Sequence, residues 1–226
     1  MQKLLIAVVD DSILSQSICF KGGTCAAMLD FLDRFSVDLD FDIKEGVDPK
    51  TLSPKFIKIF NRLDLKLDNP NGGNLFFKLK YKAPENKRNT LKISVFEEIV
   101  KANDYKKFKI TEIDRLVSCQ TIETMFANKL VSVMDRYKRH KEIAGRDIYD
   151  VCYFFLQGYK YKPEIIEERT GLKEEEYIKK LIKFIENKVT DKIITQDLNM
   201  LLPQEKFTKI RKSLKQDTLL FLRNYI

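Results

Sequence analysis

The chain has a single histidine, His140, among 226 residues. Metal centres built from imidazoles and most nucleophile–histidine–acid arrangements are therefore disfavoured, although one histidine can still serve as a base. The four cysteines, Cys19, Cys25, Cys119 and Cys152, show no CxxC spacing and fall inside apolar segments. That argues against a zinc site or a disulfide scaffold and for a reducing, cytoplasmic compartment. No apolar run approaches the ~20 residues needed to cross a bilayer, so no membrane partner is expected. The N-terminal MQKLLIAVVDDS is interrupted by Asp10 and Asp11 and lacks a small-residue cleavage site, so it reads as part of the fold rather than as a signal peptide. Internal repeats and low-complexity segments are absent.

What is present describes an ordinary globular chain. Hydrophobic residues make up 44% and charged residues 33%, enough for a real core in one large or two small domains. Lysine and arginine exceed aspartate and glutamate by 41 to 33, a net charge of +8. A basic balance favours anionic partners such as RNA or nucleotides. It is equally compatible with a lysine-rich composition that serves no such partner.

The organising stretch is residues 17–43. A strand at 17–20 runs into Lys21-Gly22-Gly23-Thr24, a helix is predicted over 25–32 with Thr24 as its cap, and a second strand carries Asp38, Asp40 and Asp42. Strand side chains alternate between faces, so the three aspartates share one face and Val37, Leu39, Phe41 and Ile43 the other. A row of like charges repels unless a cation sits among them, and a divalent metal is the obvious candidate. Gly-Gly allows positive φ and close approach of a ligand, and a helix N-terminus favours phosphate.

Further on, a helix is predicted over 54–63 and strands over 63–67, 75–82 and 90–96. Turns are marked by Asn69-Pro70-Asn71-Gly72-Gly73 and Ala83-Pro84-Glu85-Asn86. In NLFFKLKYK, Phe77, Leu79 and Tyr81 alternate with lysines, as in a half-exposed strand, and the sheet is expected to be mixed or antiparallel. From residue 121 the pattern turns helical. TIETMFANKLVSVMDRYKRH places Ile122, Phe126, Leu130, Val133 and Tyr137 on one stripe. RDIYDVCYFFLQG is a second helix, 172–188 a third with Tyr177, Ile178, Leu181, Ile182 and Ile185 inward, and 204–226 a last one. The reading is an α+β fold with a core domain at 1–118 and a helical domain at 119–226.

Gly22-Gly23-Thr24, a short helix and then Ser36-x-Asp38-x-Asp40 resemble the nucleotidyltransferase superfamily whose minimal core is that of DNA polymerase β. KGGT followed by RFSVDLDFD, together with Lys129 in ANKL, Arg136 in DRYK, and Arg146-Asp147 with Asp150 in GRDIYD, resembles the AbiEii/AbiGii toxins of type IV toxin–antitoxin systems. The match is close over 21–42, good over 123–156 and loose between. The resemblance implies a polymerase-β-like core whose active-site cleft is completed by a C-terminal helical bundle. It implies that Gly22, Gly23, Thr24 and Ser36 contact the NTP, that Asp38 and Asp40 bind Mg2+ or Mn2+, and that Lys129 reaches the phosphates. Asp147 or Asp150 would complete the second block, with Arg34, Arg136 and Arg146 as further contacts. The implied reaction is transfer of NMP from NTP to an acceptor, RNA and in particular the tRNA 3′ end, under control of a cognate antitoxin. One departure stands out: the position expected to supply a third carboxylate holds Ser94.

Plainer readings stand beside these. The aspartates could form the solvated face of an edge strand, and Arg146 and Asp150, four apart, could be a helix ion pair of ~0.3 kcal/mol. Lys129 could simply snorkel past an apolar stripe. At the level of function the alternatives are a member that binds nucleotide or RNA without turnover, and transfer to a protein or small-molecule hydroxyl.

Overall fold

A computed structural model describes residues 1–68 and 75–225, so the turn expected at 69–73 and the terminal Ile226 lie outside the described residues. The chain forms two compact units. One comprises Met1–Asp30, Ser36–Ile99 and Tyr105–Gln120, the other Phe31–Phe35, Val100–Asp104 and Thr121–Ile226.

The first unit is built on a sheet. Its elements in chain order are α1 (Gln2–Val9), α2 (Ser12–Ser17), β1 (Ile18–Lys21), α3 (Gly22–Met28), β2 (Leu39–Ile43), α4 (Ser53–Arg62), β3 (Lys66–Leu67), β4 (Phe76–Lys80), β5 (Thr90–Phe96), β6 (Tyr105–Ile110) and β7 (Arg115–Gln120). Among the described residues the seven strands form one sheet in the order β3-β4-β5-β2-β1-β7-β6. It is mixed: β1–β7 and β2–β5 run parallel, and the other pairs antiparallel. Period-2 alternation gives each strand its face. Leu91, Ile93 and Val95 of β5 point into the core, with Leu39, Phe41 and Ile43 of β2 beside them in the same sheet. Phe56 and Phe60 of α4 pack on Phe77 of β4, tilted and edge-on respectively, with ring centroids 5.3 and 5.1 Å apart. The strand expected at 90–96 forms with those bounds. Strands β6 and β7 escaped the sequence reading, because Tyr-Lys-Lys-Phe-Lys-Ile is too charged to look half-buried. It is instead an edge strand, where lysines are at home.

The second unit is helical: α5 (Ile122–His140), α6 (Gly145–Leu156), α7 (Pro163–Thr170), α8 (Glu174–Lys188), α9 (Asp191–Leu198), α10 (Gln204–Ile210) and α11 (Leu214–Tyr225). Helix α6 packs against α5, α9 and α11 and is buried nearly all round, which explains its high apolar content. A Cβ on Gly145 would stand 2.8 Å from the Ile194 Cα, so glycine lets the α6 start lie directly on α9. All five residues expected inward on α8 are buried. The single helix expected over 204–226 is broken at residues 211–213, which leaves Tyr225 exposed while Phe207 and Leu214 are buried. Of Tyr153, Phe154 and Phe155, only Phe154 is fully buried. All four cysteines are buried free thiols. Among the described residues no helix is long and apolar enough to cross a membrane.

Candidate active site

In the sheet unit, β1 delivers the chain to a turn where Gly22 adopts φ +79° and opens α3. A Cβ there would stand 2.9 Å from Asp40 Oδ2, so the backbone passes this carboxylate at a distance that only glycine permits. The helix begins at Gly22 rather than at residue 25 and ends at Met28. Thr24 is consequently not its cap but lies inside its first turn. The Thr24 hydroxyl, buried, donates to the Asp38 backbone carbonyl at 2.5 Å, and its oxygen lies 2.9 Å from Ser36 Oγ. A hydroxyl has one proton to give, so Ser36 is the donor in that second bond. The two hydroxyls clasp residues 36–38 to α3 and so place Asp38.

The three aspartates do not behave alike. Asp38 precedes the first residue of β2, its side chain is 42% exposed, and it accepts a hydrogen bond of 2.8 Å from Arg88 Nη2. Asp40 is half-buried beside Gly22. Asp42 is buried, where the sequence grouped it with Asp38 and Asp40 on a face awaiting a cation. It pairs with Lys21 Nζ at 2.5 Å and accepts from Tyr105 Oη at 2.9 Å and Gln120 Nε2 at 2.6 Å. Lys21 Nζ also sits 3.9 Å over the Phe96 ring. The row of like charges is thus divided: Asp42 is neutralised from within, and Asp38 and Asp40 stand at the turn.

Ser94 lies in register with Asp40 across the parallel β2–β5 pair, and Glu97 and Glu98 fall beyond the end of β5. Among the described residues no three His, Cys, Asp or Glu side chains converge as a metal site. Two carboxylates at a glycine turn nonetheless suit Mg2+ or Mn2+. These hard ions take oxygen ligands, and Mg2+ commonly binds one or two carboxylates and completes its shell with water and substrate phosphate.

The helical unit holds a second charged cluster. Lys129 and Arg136 lie seven apart on α5, and Asp147 and Asp150 three apart on α6, so each pair shares a helix face. Lys129 Nζ is 3.0 Å from both Asp147 Oδ1 and Asp150 Oδ2, and Arg136 Nε is 3.1 Å from Asp147 Oδ2. Arg34, buried, grips Asp150 with Nε at 2.5 Å and Nη2 at 2.7 Å. Burial would raise the Asp147 carboxyl, but Lys129 and Arg136 outweigh it and hold it down at about 2. Burial alone would likewise lower the pKa values of Lys129 and Arg34. Asp147 and Asp150 reverse that for Lys129, and Asp150 above all for Arg34, so both pKa values rise.

Arg146 acts on this cluster only through its charge, which also lowers the Asp147 pKa; its direct partner is elsewhere. The alternative of an Arg146–Asp150 helix pair is not what the described residues show; Arg146 pairs with Asp197 of α9 at 3.2 Å, and its backbone N–H donates to the same carboxylate. The sequence reading missed Arg88, the partners of Asp42, and the Arg34–Asp150 bond across 116 residues. None of these has a local signature.

Two solved structures share the fold. Protein JHP933 from Helicobacter pylori superposes with a TM-score of 0.54 at 16% identity, covering 99% of this chain and 89% of its own. A candidate nucleotidyltransferase from H. pylori gives 0.55 at 17% identity, with 100% and 94% covered. No curated protein matches the chain by sequence. The family model "Nucleotidyl transferase AbiEii toxin, Type IV TA system" matches residues 3–220. A match over nearly the whole length, on the mixed sheet and helices just described, means that this chain belongs to the AbiEii family of nucleotidyltransferase toxins.

Proposed function

We propose that the protein transfers NMP from an NTP to a hydroxyl of RNA, with the tRNA 3′ end as the favoured acceptor, in the cytoplasm. The observation that carries the reading is the passage of the Gly22 backbone against Asp40, with Asp38 clasped beside it by Thr24. Such a turn lets a triphosphate approach main-chain N–H groups beside the Asp40 carboxylate, with the Asp38 main chain held next to it. Asp38 and Asp40 would hold Mg2+ or Mn2+, which when bound neutralises the triphosphate and supports the leaving pyrophosphate.

The residues of the chain do the positioning. Gly22 and Gly23 leave room for the phosphates, and Thr24 and Ser36 fix the main chain that carries Asp38. Lys129 gives two of its N–H directions to Asp147 and Asp150 and is 18% exposed, so a third can meet a phosphate oxygen. Asp147 stays ionised at any working pH and acts by holding Lys129 and Arg136 in place. Asp150 and Arg34 brace the same lysine from the buried side. The RNA acceptor is supported by the net charge of +8. The family is that of type IV toxin–antitoxin systems, so the expected effect is growth arrest, relieved by a cognate antitoxin.

The test incubates the protein with labelled NTPs, Mg2+ and total RNA. Label on RNA that disappears in Asp40→Asn supports the proposal. Label on protein or a small acceptor would move the acceptor class. Tight NTP binding with transfer to nothing would favour the reading without turnover, to which Ser94 at the third-carboxylate position points.

A further inference from the structure

Among the described residues, the Asp38 carboxylate is met by Arg88, from the segment between β4 and β5, fifty residues away in sequence. Arg88 is not a loosely tethered surface arginine. Its Nε donates to the Thr90 carbonyl at 2.9 Å, and its own carbonyl accepts from Tyr81 Oη at 2.6 Å. The side chain is thereby fastened at the root of β5 with its fork turned to Asp38 Oδ1, 2.8 Å away. Both side chains remain nearly half exposed, at 46% and 42%. Exposed pairs of this kind are weak and readily exchanged. A guanidinium is also the side chain best shaped to grip phosphate oxygens two at a time.

We propose that Arg88 is a further residue of the nucleotide site, with two positions. Without a divalent cation it neutralises Asp38. With one, Asp38 exchanges Arg88 for the cation, and the freed Nη2, on a guanidinium still anchored through Nε, receives a triphosphate oxygen in place of Asp38 Oδ1. This rests on the reading that Asp38 and Asp40 hold the cation. It goes beyond that reading by giving the cation and the nucleotide opposite dependences on one side chain.

The experiment measures Mn2+ binding alone by electron paramagnetic resonance and Mg2+–NTP binding by calorimetry, for wild type, Arg88→Gln and Asp38→Asn. Arg88→Gln removes the competitor for Asp38, so Mn2+ should bind about two- to fivefold more tightly, the scale of an exposed ion pair. The same variant should bind Mg2+–NTP about tenfold more weakly, the scale of one charge-assisted phosphate contact. A misfolded variant would weaken both, so opposite signs are diagnostic. Mn2+ affinity that is unchanged or lower, or NTP affinity that is unchanged, overturns the exchange. If Asp38→Asn leaves Mn2+ affinity intact, the cation reading itself fails, and that outcome is distinct from failure at Arg88.

Discussion

Asp147 and Asp150 are 1% and 0% exposed and are shared among Lys129, Arg136 and Arg34. Asp38 is 42% exposed at the side chain and meets Arg88 at the surface. The two clusters draw on the same residue types and differ in solvent. A carboxylate taken out of water requires fixed cations, and once they are in place none can be withdrawn cheaply. A carboxylate left at the surface can change partners, because water compensates either state. The difference in burial is the physical basis of the exchange proposed at Asp38 and of the fixed network expected in the helical unit. Asp42 shows the contrast within one strand: two residues beyond Asp40 it is buried and closed off by Lys21, Tyr105 and Gln120.

The contrast can be broken in graded ways. The largest effect is expected at Arg34→Met, which strips Asp150 of its two shortest bonds. Breaking a buried pair costs about 3–5 kcal/mol, to be read from urea midpoints, with a steep fall in melting temperature. Next comes pH at Asp147. Its folded pKa, about 2, lies below the ordinary value of 3.8. The stability it contributes is therefore fully present above about pH 4 and is lost as pH falls towards 2. That portion amounts to about 2 kcal/mol, so the stability gap between wild type and Asp147→Asn should narrow by about that much between pH 6 and pH 2. Gly22→Ala should cost about 1–2 kcal/mol through its positive φ and the contact with Asp40. It should also reduce NMP transfer far more than that loss of stability would, measured with labelled NTP. The smallest effect belongs to an ordinary surface pair. Lys180→Ala, which frees Glu176 on α8, should move the melting temperature by less than about 2 °C.

How much of this was legible in the sequence depends on the range over which each signal acts. Alternation located β5, helical spacing located α5, α6 and the inward face of α8, and motif order located the two charged blocks. The first two are signals carried within a single element, and the third rests on two short motifs, each local in itself. Asp42's burial was hidden because two of its partners, Tyr105 and Gln120, come from β6 and β7, strands the sequence did not reveal, the first masked by its lysines. Arg34 looked like a phosphate contact because nothing near it reveals that it is buried against Asp150. The break at residues 211–213 went unseen because Phe207, Ile210, Leu214 and Phe221 keep helical spacing across it.

The two ends of the sheet carry a consequence for how copies of the molecule meet one another. One border is β3, only two residues long and beginning with Lys66; the other is β6, with Lys106, Lys107 and Lys109 along it. Unpaired strand borders invite a neighbouring chain to add a strand, and shortness and lysine are ways to refuse it. Part of the basic surplus therefore has a use that depends on no acceptor, since lysines on a strand border disfavour strand addition. Neutralising the three β6 lysines would leave the core untouched and open that border to stacking between copies.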